Sequence, residues 1–391
     1  MAILRAMSDI GLAERMGSLS KSATLALNAR AKQMQAGGKT VYNLTAGELA
    51  GDTPEFIQEA VAKVLDRNKY TPVAGLPELR DLIAAEARRF YGLDWIQPAN
   101  VVVTGAAKPA LYGAFLAVIN PGDEVILPTP VWKSYNHLIE LVGGVVIEVP
   151  LSDAYDLDVK ALVAAVTSKT KAILLNSPQN PTGAVYSKPK LEELAAALKG
   201  RNITVISDDI YSKLVYDPSF TPVPACGFDQ LIIVNGFSKS QALTGWRIGY
   251  AIAPVPVAEA ITSLLSHMTG NAALPSQYAA IAAMERHDQP PQETLNTLKK
   301  QRRLVSEALN NIPGLKYVLP GGAFYFLIDV RGITDNSAEW CEQLLVEKGV
   351  ALVPGDAFDA PGFARLTFVC DEATLIAALE QINQFVKKAR S

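Results

Sequence analysis

A lysine in the middle of the chain follows an apolar segment and stands close to an arginine. The apolar segment ends at Val234, and the loop after it presents Lys239 and then, eight residues later, Arg247. A lysine at the C-terminal edge of a strand can form a Schiff base with an aldehyde cofactor. An arginine nearby can bind that cofactor's phosphate through its forked guanidinium group. The pair indicates a covalent cofactor site, although a lone lysine at a strand end is usually only solvated.

A carboxylate closes a second apolar segment. Asp208 follows Thr204–Ser207, and Tyr211 comes three residues later. The carboxylate could pair with a protonated ring nitrogen and keep that ring an electron sink, while Tyr211 could hydrogen-bond the ring's phenolic oxygen. Taken alone, the residues favour the alternative that Asp208 and Asp209 cap a helix.

Three other segments could contribute to the same site. Asn180 lies in the run Asn176–Gly183 and could donate its amide hydrogens to the ring oxygen. The segment Thr104–Leu111, which contains Ala106, Ala107 and Lys108, joins a strand to a helix, where small residues and free N–H groups can hold a phosphate. Trp132 could stack on the ring. Each pattern also has a purely structural explanation, as a turn, a helix start or a core aromatic residue.

Short apolar runs alternate with helical patterns and must position these residues. The predicted strands are Val101–Thr104, Glu124–Leu127, Val145–Val149, Ala172–Asn176, Thr204–Asp208, Leu231–Asn235 and Gly249–Ala253. The helices between them include Ala110–Val118, Lys133–Leu141, Val159–Ala165 and Lys190–Leu198. This alternation predicts an α/β fold with a mostly parallel seven-stranded sheet that is covered on both faces. Polar residues at the strand ends are expected to line the ligand crevice, namely Thr104, Asn176, Asp208 and Asn235.

Both ends of the chain carry a different pattern. Helices are predicted at Ser22–Gln35, Thr294–Leu309, Ala338–Lys348 and Glu372–Lys388, with strands at Val41–Leu44, Phe324–Val330, Ala351–Val353 and Arg365–Phe368. We expect an N-terminal arm (1–20), a smaller α+β domain built from both termini (21–55 and 296–391) and a large cofactor-binding domain (56–295).

The composition favours a soluble enzyme. Hydrophobic residues make up 49% of the chain and charged residues 19%, with a net charge of -3. The sequence has no basic stripe of the kind that binds nucleic acid, and no apolar run long enough to span a membrane. Three scattered cysteines and the lack of a signal peptide near Met1–Arg15 favour a reducing compartment, the cytoplasm. The three histidines lack metal-ligand spacing, so no metal is expected.

Taken together, the motifs resemble those of class I aminotransferases of fold-type I, and most closely the bacterial subgroup Iβ (Ib) aspartate aminotransferases. Asn176–Gly183, Asp208-x-x-Tyr211, Ser238-Lys239 and Arg365-x-x-Phe368 occur in the family's order. The resemblance implies a pyridoxal 5'-phosphate-dependent enzyme that works by a ping-pong mechanism. An amino group would pass from an L-amino acid, aspartate or glutamate first among them, to a 2-oxo acid such as 2-oxoglutarate.

The resemblance also implies a role for each site residue. Lys239 would hold the cofactor and move a proton at the substrate. The implied cofactor-binding residues are Lys239, Asn180, Asp208, Tyr211, Arg247, Trp132, Ala106, Ala107, Lys108 and Ser238. The implied substrate-binding residues are Arg365 for the α-carboxylate, with Gly47, Asn180, Trp132, Lys108 and Thr24. Tyr70 would reach the phosphate of the neighbouring subunit, which implies a homodimer.

Some alternatives remain open at this stage. The segment Gly47–Gly51 replaces the family's Gly-Glu-Pro-Asp-Phe, Ala106-Ala107 replaces Gly-Gly, and Gly236 replaces a serine of some relatives. Lys108 could face the substrate's side-chain carboxylate, or it could contact only the cofactor phosphate or solvent. An aromatic, methionine or broad-specificity aminotransferase and a C–S β-lyase are rival hypotheses. A ligand-sensing regulator would need an N-terminal DNA-binding module, for which the few residues before the Ser22 helix are too short. A nicotinamide-dependent enzyme would need a Gly-x-Gly-x-x-Gly motif between a strand and a helix, and the sequence has none.

Overall fold

The computed structural model describes residues 11–17, 19, 23–49, 51–286 and 292–390. Its α-helices are α1 (Ala23–Ala36), α2 (Glu55–Ala62), α3 (Pro77–Tyr91), α4 (Ala107–Val118), α5 (Ser134–Leu141), α6 (Val159–Ala164), α7 (Lys188–Leu198), α8 (Val255–Met268), α9 (Leu274–Glu285), α10 (Gln292–Asn310), α11 (Ser337–Lys348) and α12 (Glu372–Arg390). Its strands are β1 (Tyr42–Asn43), β2 (Val101–Thr104), β3 (Glu124–Thr129), β4 (Val145–Pro150), β5 (Thr170–Asn176), β6 (Thr204–Asp208), β7 (Leu231–Gly236), β8 (Gly249–Ile252), β9 (Lys316–Tyr317), β10 (Tyr325–Asp329), β11 (Val350–Ala351), β12 (Val353–Pro354) and β13 (Phe363–Thr367).

A seven-stranded sheet with the order β2-β8-β7-β6-β5-β3-β4 forms the centre of the fold. The neighbouring pairs from β7 to β4 are parallel, and β8 is antiparallel to both β2 and β7. The predicted α/β fold with a mostly parallel seven-stranded sheet is therefore confirmed. β6 and β7 are neighbouring parallel strands, so Asp208 and the Lys239 loop both lie at the carboxyl-terminal ends of the strands.

Successive residues of the central strands enter two different apolar cores. Val205 and Ile233 lie in the core on one face of the sheet. Ile206 and Val234 lie in the core on the other face. A sheet that is covered on both faces requires apolar residues at consecutive positions, and this explains the unbroken apolar runs of the strands.

The remaining sheets are small and combine residues from both ends of the chain. β1 pairs in parallel with β11, and the antiparallel order β12-β13-β10-β9 packs against α10, α11 and α12 around a third apolar core. The single strand predicted at Ala351–Val353 is wrong, because β11 and β12 flank Leu352 and belong to different sheets. The predicted domain boundaries remain a prediction.

None of the helices within the described ranges has the length and apolar character that crossing a bilayer requires. Those ranges also contain no cluster of three or more His, Cys, Asp or Glu side chains that could hold a metal ion.

Candidate active site

A cavity of about 530 Å³ opens at the carboxyl ends of β6 and β7. The N-terminus of α4 lies on one side, and Tyr325 of β10 and Arg365 of β13 lie on another. The cavity is therefore bounded both by the large sheet and by the antiparallel sheet of the C-terminal part. Six charged side chains line it: Glu48, Lys108, Asp208, Lys239, Arg247 and Arg365.

Lys239 is partly buried in the cavity, and its Nζ donates a hydrogen bond to the carbonyl oxygen of Gly47. Burial lowers the pKa of Lys239 to about 8, with smaller contributions from the positive charges of Arg365 and Arg247, while Glu48 opposes the shift. An amine with this pKa is substantially neutral near pH 8, so it can act as a nucleophile or a base there.

Asp208 is buried at the end of β6 and its carboxylate has two donors. The hydroxyl of Tyr135 donates to Oδ2 at 2.7 Å, and the backbone N–H of Ile210 donates to Oδ1 at 3.2 Å. Burial raises the pKa of Asp208 to about 6, although the hydrogen bond from Tyr135, the N–H of Ile210 and the charge of Lys239 oppose the increase. A turn rather than a helix follows Asp208, so the alternative of a helix cap is wrong.

Arg365 is buried with its guanidinium only partly hydrogen-bonded. It donates to Oδ1 of Asn180 at 2.8 Å and to the carbonyl of Thr45 at 2.9 Å, and it lies 4.6 Å from the ring centre of Tyr325. Its Nε has no hydrogen-bond partner among the described residues. A buried cation with an unused donor is suited to bind an anionic group of a ligand.

Two tyrosines meet beside Asn180 and Lys239. The hydroxyls of Tyr211 and Tyr325 are 2.7 Å apart, and the Tyr211 ring contacts the Tyr325 ring edge to face. Gly47 passes so close that a Cβ there would lie 2.6 Å from the Tyr325 hydroxyl. A side chain at position 47 would displace Tyr325, so the absence of one preserves this arrangement.

The part of the cavity at the start of α4 carries the positive charges of Lys108 and Arg247. Ala106 and Ala107 lie at the start of α4, and buried Ser238 also lines the cavity. The Nζ of Lys108 lies 4.7 Å from the ring centre of Trp132. Burial, followed by the charge of Arg247, lowers the pKa of Lys108. A helix N-terminus with nearby cations can bind a phosphate.

The structure thus brings most of the predicted residues into one cavity. Those that line it are Lys239, Asn180, Asp208, Tyr211, Arg247, Trp132, Ala106, Ala107, Lys108, Ser238, Gly47 and Arg365. Tyr70 does not line the cavity of its own chain, and its side chain is 97% exposed. The side chain of Thr24 lies outside the described residues, as does Ser22.

The sequence reasoning missed Tyr135, Tyr325 and Glu48, which also line the cavity. The position of Tyr135, three residues after Trp132, is the one local signal that could have indicated it. Of the polar residues at strand ends, only Asp208 lines the cavity. Thr104, Asn176 and Asn235 instead hydrogen-bond nearby backbone atoms.

The arrangement combines an amine of lowered pKa, a buried carboxylate and a positively charged helix N-terminus. Such a set suits a ligand with a carbonyl group, a basic ring nitrogen and an anionic group. The hydrogen-bond acceptors of Arg365 are neutral oxygens, so its buried positive charge can bind the carboxylate of a second ligand.

Comparison with known proteins gives consistent matches. The family model "Aminotransferase class I and II" matches residues 39–382. The chain is 42% identical over 381 residues to the aspartate aminotransferase of Thermotoga maritima, covering 96% of this chain and 99% of that protein. It is 39% identical over 394 residues to the asparagine–oxo-acid transaminase of Streptococcus mutans, covering 96% and 99%. The structure of Thermus thermophilus aspartate aminotransferase with maleate aligns with a TM-score of 0.92 at 38% identity, covering 96% of this chain and 100% of that chain.

These matches and the cavity define an enzyme class, that of the fold-type I transferases. The chain belongs to the class I and II aminotransferases. It is therefore an enzyme that transfers an amino group from an amino acid to a 2-oxo acid, as its sequence motifs predicted.

Proposed function

We propose that this enzyme is a pyridoxal 5'-phosphate-dependent aspartate aminotransferase that uses a 2-oxo acid such as 2-oxoglutarate as the amino acceptor. The observation that carries the proposal is the presence of Lys239, Asp208, Arg365 and Lys108 around one cavity. The relatives from Thermotoga maritima and Thermus thermophilus bear the name aspartate aminotransferase, which supports the choice of substrate.

The residues of the cavity fit this cofactor. An aldehyde requires an amine that can lose its proton, and Lys239 has a pKa of about 8. The pyridine nitrogen requires a buried acid, for which Asp208 is the candidate, and the phosphate requires donors near the N-terminus of α4. The Nε of Arg365, which lacks a partner among the described groups, leaves a donor for the substrate. In this proposal Ser238, Arg247, Ala106 and Ala107 hold the phosphate.

The cofactor, when bound, supplies a ring that withdraws electrons from the substrate's α-carbon. Asp208 would keep the ring nitrogen protonated, and the hydroxyl of Tyr135 holds the Asp208 carboxylate in place. Asn180 would offer its amide and Tyr211 its hydroxyl to the ring oxygen. The Lys239 amine, when it is not bonded to the cofactor, would take a proton from the substrate's α-carbon and would deliver it to the carbon that carried the cofactor's aldehyde group.

The substrate's two carboxylates would have separate cationic partners. Arg365 binds the α-carboxylate, with the backbone of Gly47 and the side chain of Asn180 beside it. Lys108, next to Trp132, binds the side-chain carboxylate. Two cationic side chains that line one cavity favour a dicarboxylate over an uncharged amino acid. The Thermus thermophilus structure was determined with maleate, itself a dicarboxylate.

The proposal includes a cytoplasmic homodimer. Tyr70 stands 97% exposed and away from its own cavity, as a residue that serves a neighbouring subunit would. Its hydroxyl would donate to the phosphate held in the partner's site. Each cavity would then be complete only in the dimer.

The test is the visible absorption spectrum of the cofactor-loaded enzyme as amino acids are added one at a time without a 2-oxo acid. Asparagine is the matched control for aspartate, because it has nearly the same shape without the second negative charge. We expect aspartate to convert the spectrum much faster than asparagine, tyrosine or methionine. Faster conversion by tyrosine or methionine would replace the proposal with the aromatic or broad-specificity alternative. Turnover that needs no 2-oxo acid would indicate a C–S β-lyase.

A further inference from the structure

A glutamine in α9 is buried in an otherwise apolar surrounding. The side chain of Gln277 is fully buried, and its neighbours along the same helix, Ala279 to Met284, all lie in an apolar core. A long polar side chain in such a place is stable only when its amide is hydrogen-bonded. The position of Gln277 therefore depends on the partners of its amide group.

All of these partners lie in two segments. Oε1 of Gln277 accepts the backbone N–H of Leu76 at 2.7 Å, and Nε2 donates to Oγ1 of Thr71 at 3.0 Å. Nε2 also donates to the carbonyl of Ala272 at 2.8 Å. One amide thus joins the start of α9 to both ends of the segment 71–76.

The segment 71–76 begins directly after Tyr70. Its backbone folds into a turn in which the N–H of Gly75 donates to the carbonyl of Pro72 at 2.9 Å. Gly75 has a φ of 104°, and a Cβ there would lie 2.5 Å from the Val103 side chain. The base of the segment is therefore pressed onto β2, while the Tyr70 side chain stands 97% exposed.

Gln277 does not line the cavity of its own chain. Its hydrogen bonds reach the residue next to Tyr70, and Tyr70 itself projects from the subunit. A residue with this geometry can act on a cavity through the position of Tyr70. That cavity is the neighbouring subunit's, if Tyr70 acts there.

We propose that Gln277 is a positioning residue that acts across the subunit boundary, by holding the segment 71–76 so that Tyr70 reaches the phosphate in the partner's site. The inference rests on the proposed function, in which Tyr70 serves the neighbouring subunit. It adds a residue that touches neither cofactor nor substrate and whose effect belongs to the other subunit's site.

Two substitutions probe this link from opposite ends. Gln277→Met keeps the length of the side chain but removes all three hydrogen bonds. Thr71→Val removes only the hydroxyl that Gln277 contacts, so it tests the same link even if the first variant folds poorly. In either homodimer we expect the dissociation constant of pyridoxal 5'-phosphate to rise, by about tenfold if one charge-assisted hydrogen bond is lost.

Hybrid dimers then show which site is affected. In the trans hybrid, one subunit carries Gln277→Met and the other carries Lys239→Ala. In the cis hybrid, one subunit carries both substitutions and the other is unsubstituted. Each hybrid has a single Lys239, and cofactor binding at that site is followed by its visible absorption during a titration. We expect unchanged affinity in the trans hybrid and about tenfold weaker binding in the cis hybrid.

The opposite pattern, or equal affinities, would overturn the inference, because Gln277 would then act within its own subunit or not at all. The same two hybrids made with Tyr70→Phe separate this failure from that of the proposed function. If the Tyr70 hybrids also fail to bind the cofactor more weakly in the cis hybrid than in the trans hybrid, the assignment of Tyr70 to the partner's site is wrong. If binding in the Tyr70 hybrids is weaker in the cis hybrid only, while the hybrids made with Gln277→Met, or with Thr71→Val in its place, do not show this difference, only the positioning role is wrong.

Discussion

The contact between Tyr135 and Asp208 provides the most specific prediction for the cofactor site. The Tyr135 hydroxyl donates to the Asp208 carboxylate at 2.7 Å, and both side chains are buried. Tyr135→Phe removes this one donor and leaves the ring in place against Trp132, which it contacts edge to face. The change therefore tests the hydrogen bond with little disturbance of packing.

The size and sign of the effect follow from the protonation of Asp208. Burial raises the pKa of Asp208 to about 6, and the hydrogen bond from Tyr135 lowers it by stabilising the charged form. A hydrogen bond to a charged group contributes about 1.5 to 3 kcal/mol, or roughly one to two pKa units. Without Tyr135 we expect the pKa of Asp208 in the cofactor-free enzyme to rise to roughly 7 to 8.

The assay is the affinity of the cofactor-free enzyme for pyridoxal 5'-phosphate across the range from about pH 5 to pH 9. Binding should weaken as the pH falls through the pKa of Asp208, since the protonated acid no longer favours a positive ring nitrogen. In Tyr135→Phe this weakening should begin roughly one to two pH units higher than in the unsubstituted enzyme. Titration of Lys239 and of the cofactor is common to both proteins and cancels in the comparison.

Tyr186→Phe is the matched control. Tyr186 is equally buried, accepts a hydrogen bond from Gln179 at 3.3 Å and does not line the cavity. Loss of the Tyr186 hydroxyl should leave the pH dependence of cofactor binding unchanged. An unshifted profile for Tyr135→Phe, or the same shift in both variants, would refute the reasoning.

Three further predictions concern Lys239, Lys108 and the start of α4. Lys239→Ala should abolish transamination and leave the cofactor removable by dialysis; turnover close to that of the unsubstituted enzyme would contradict its assignment. Lys108→Ala should lower kcat/KM for aspartate by about 10- to 100-fold and for asparagine much less; equal losses would mean that Lys108 serves the cofactor. Ala106 has φ 127° and ψ 172°, a backbone region that favours glycine. Ala106→Gly should therefore raise the free energy of unfolding by about 1 kcal/mol in urea denaturation. Ala107→Gly, at the first residue of the helix, should not raise it, because Ala107 has no such strain to lose. A loss of stability in both variants would show that Ala106 is not strained.

The strands of the large sheet could be predicted because each is a short apolar run bounded by turn residues. β2 and β6 have the predicted bounds, and the others differ by one or two residues at an end. The helices α2, α3, α8 and α9 were not among the predicted ones. α9 shows why, since eight of its residues are buried and it has no polar face that would mark a helical period.

The cavity could be predicted only in part. Lys239, Asp208, Asn180 and Arg365 were identified because each lies in a motif that the sequence carries contiguously. Tyr325 was missed, since its partner Tyr211 lies 114 residues away in the sequence. No local pattern connects two residues at that distance.

The sequence by itself determined which chemical groups this protein carries and the order of the elements that hold them. Residue types, apolar runs and turn signals act locally, so they can be recognised without a structure. Only the tertiary structure decided that Tyr135 holds Asp208, that Arg365 lies against Asn180, and that Gln277 supports the segment after Tyr70. These contacts join residues 73, 185 and 206 positions apart, and they form only when the packing of the cores brings distant segments together.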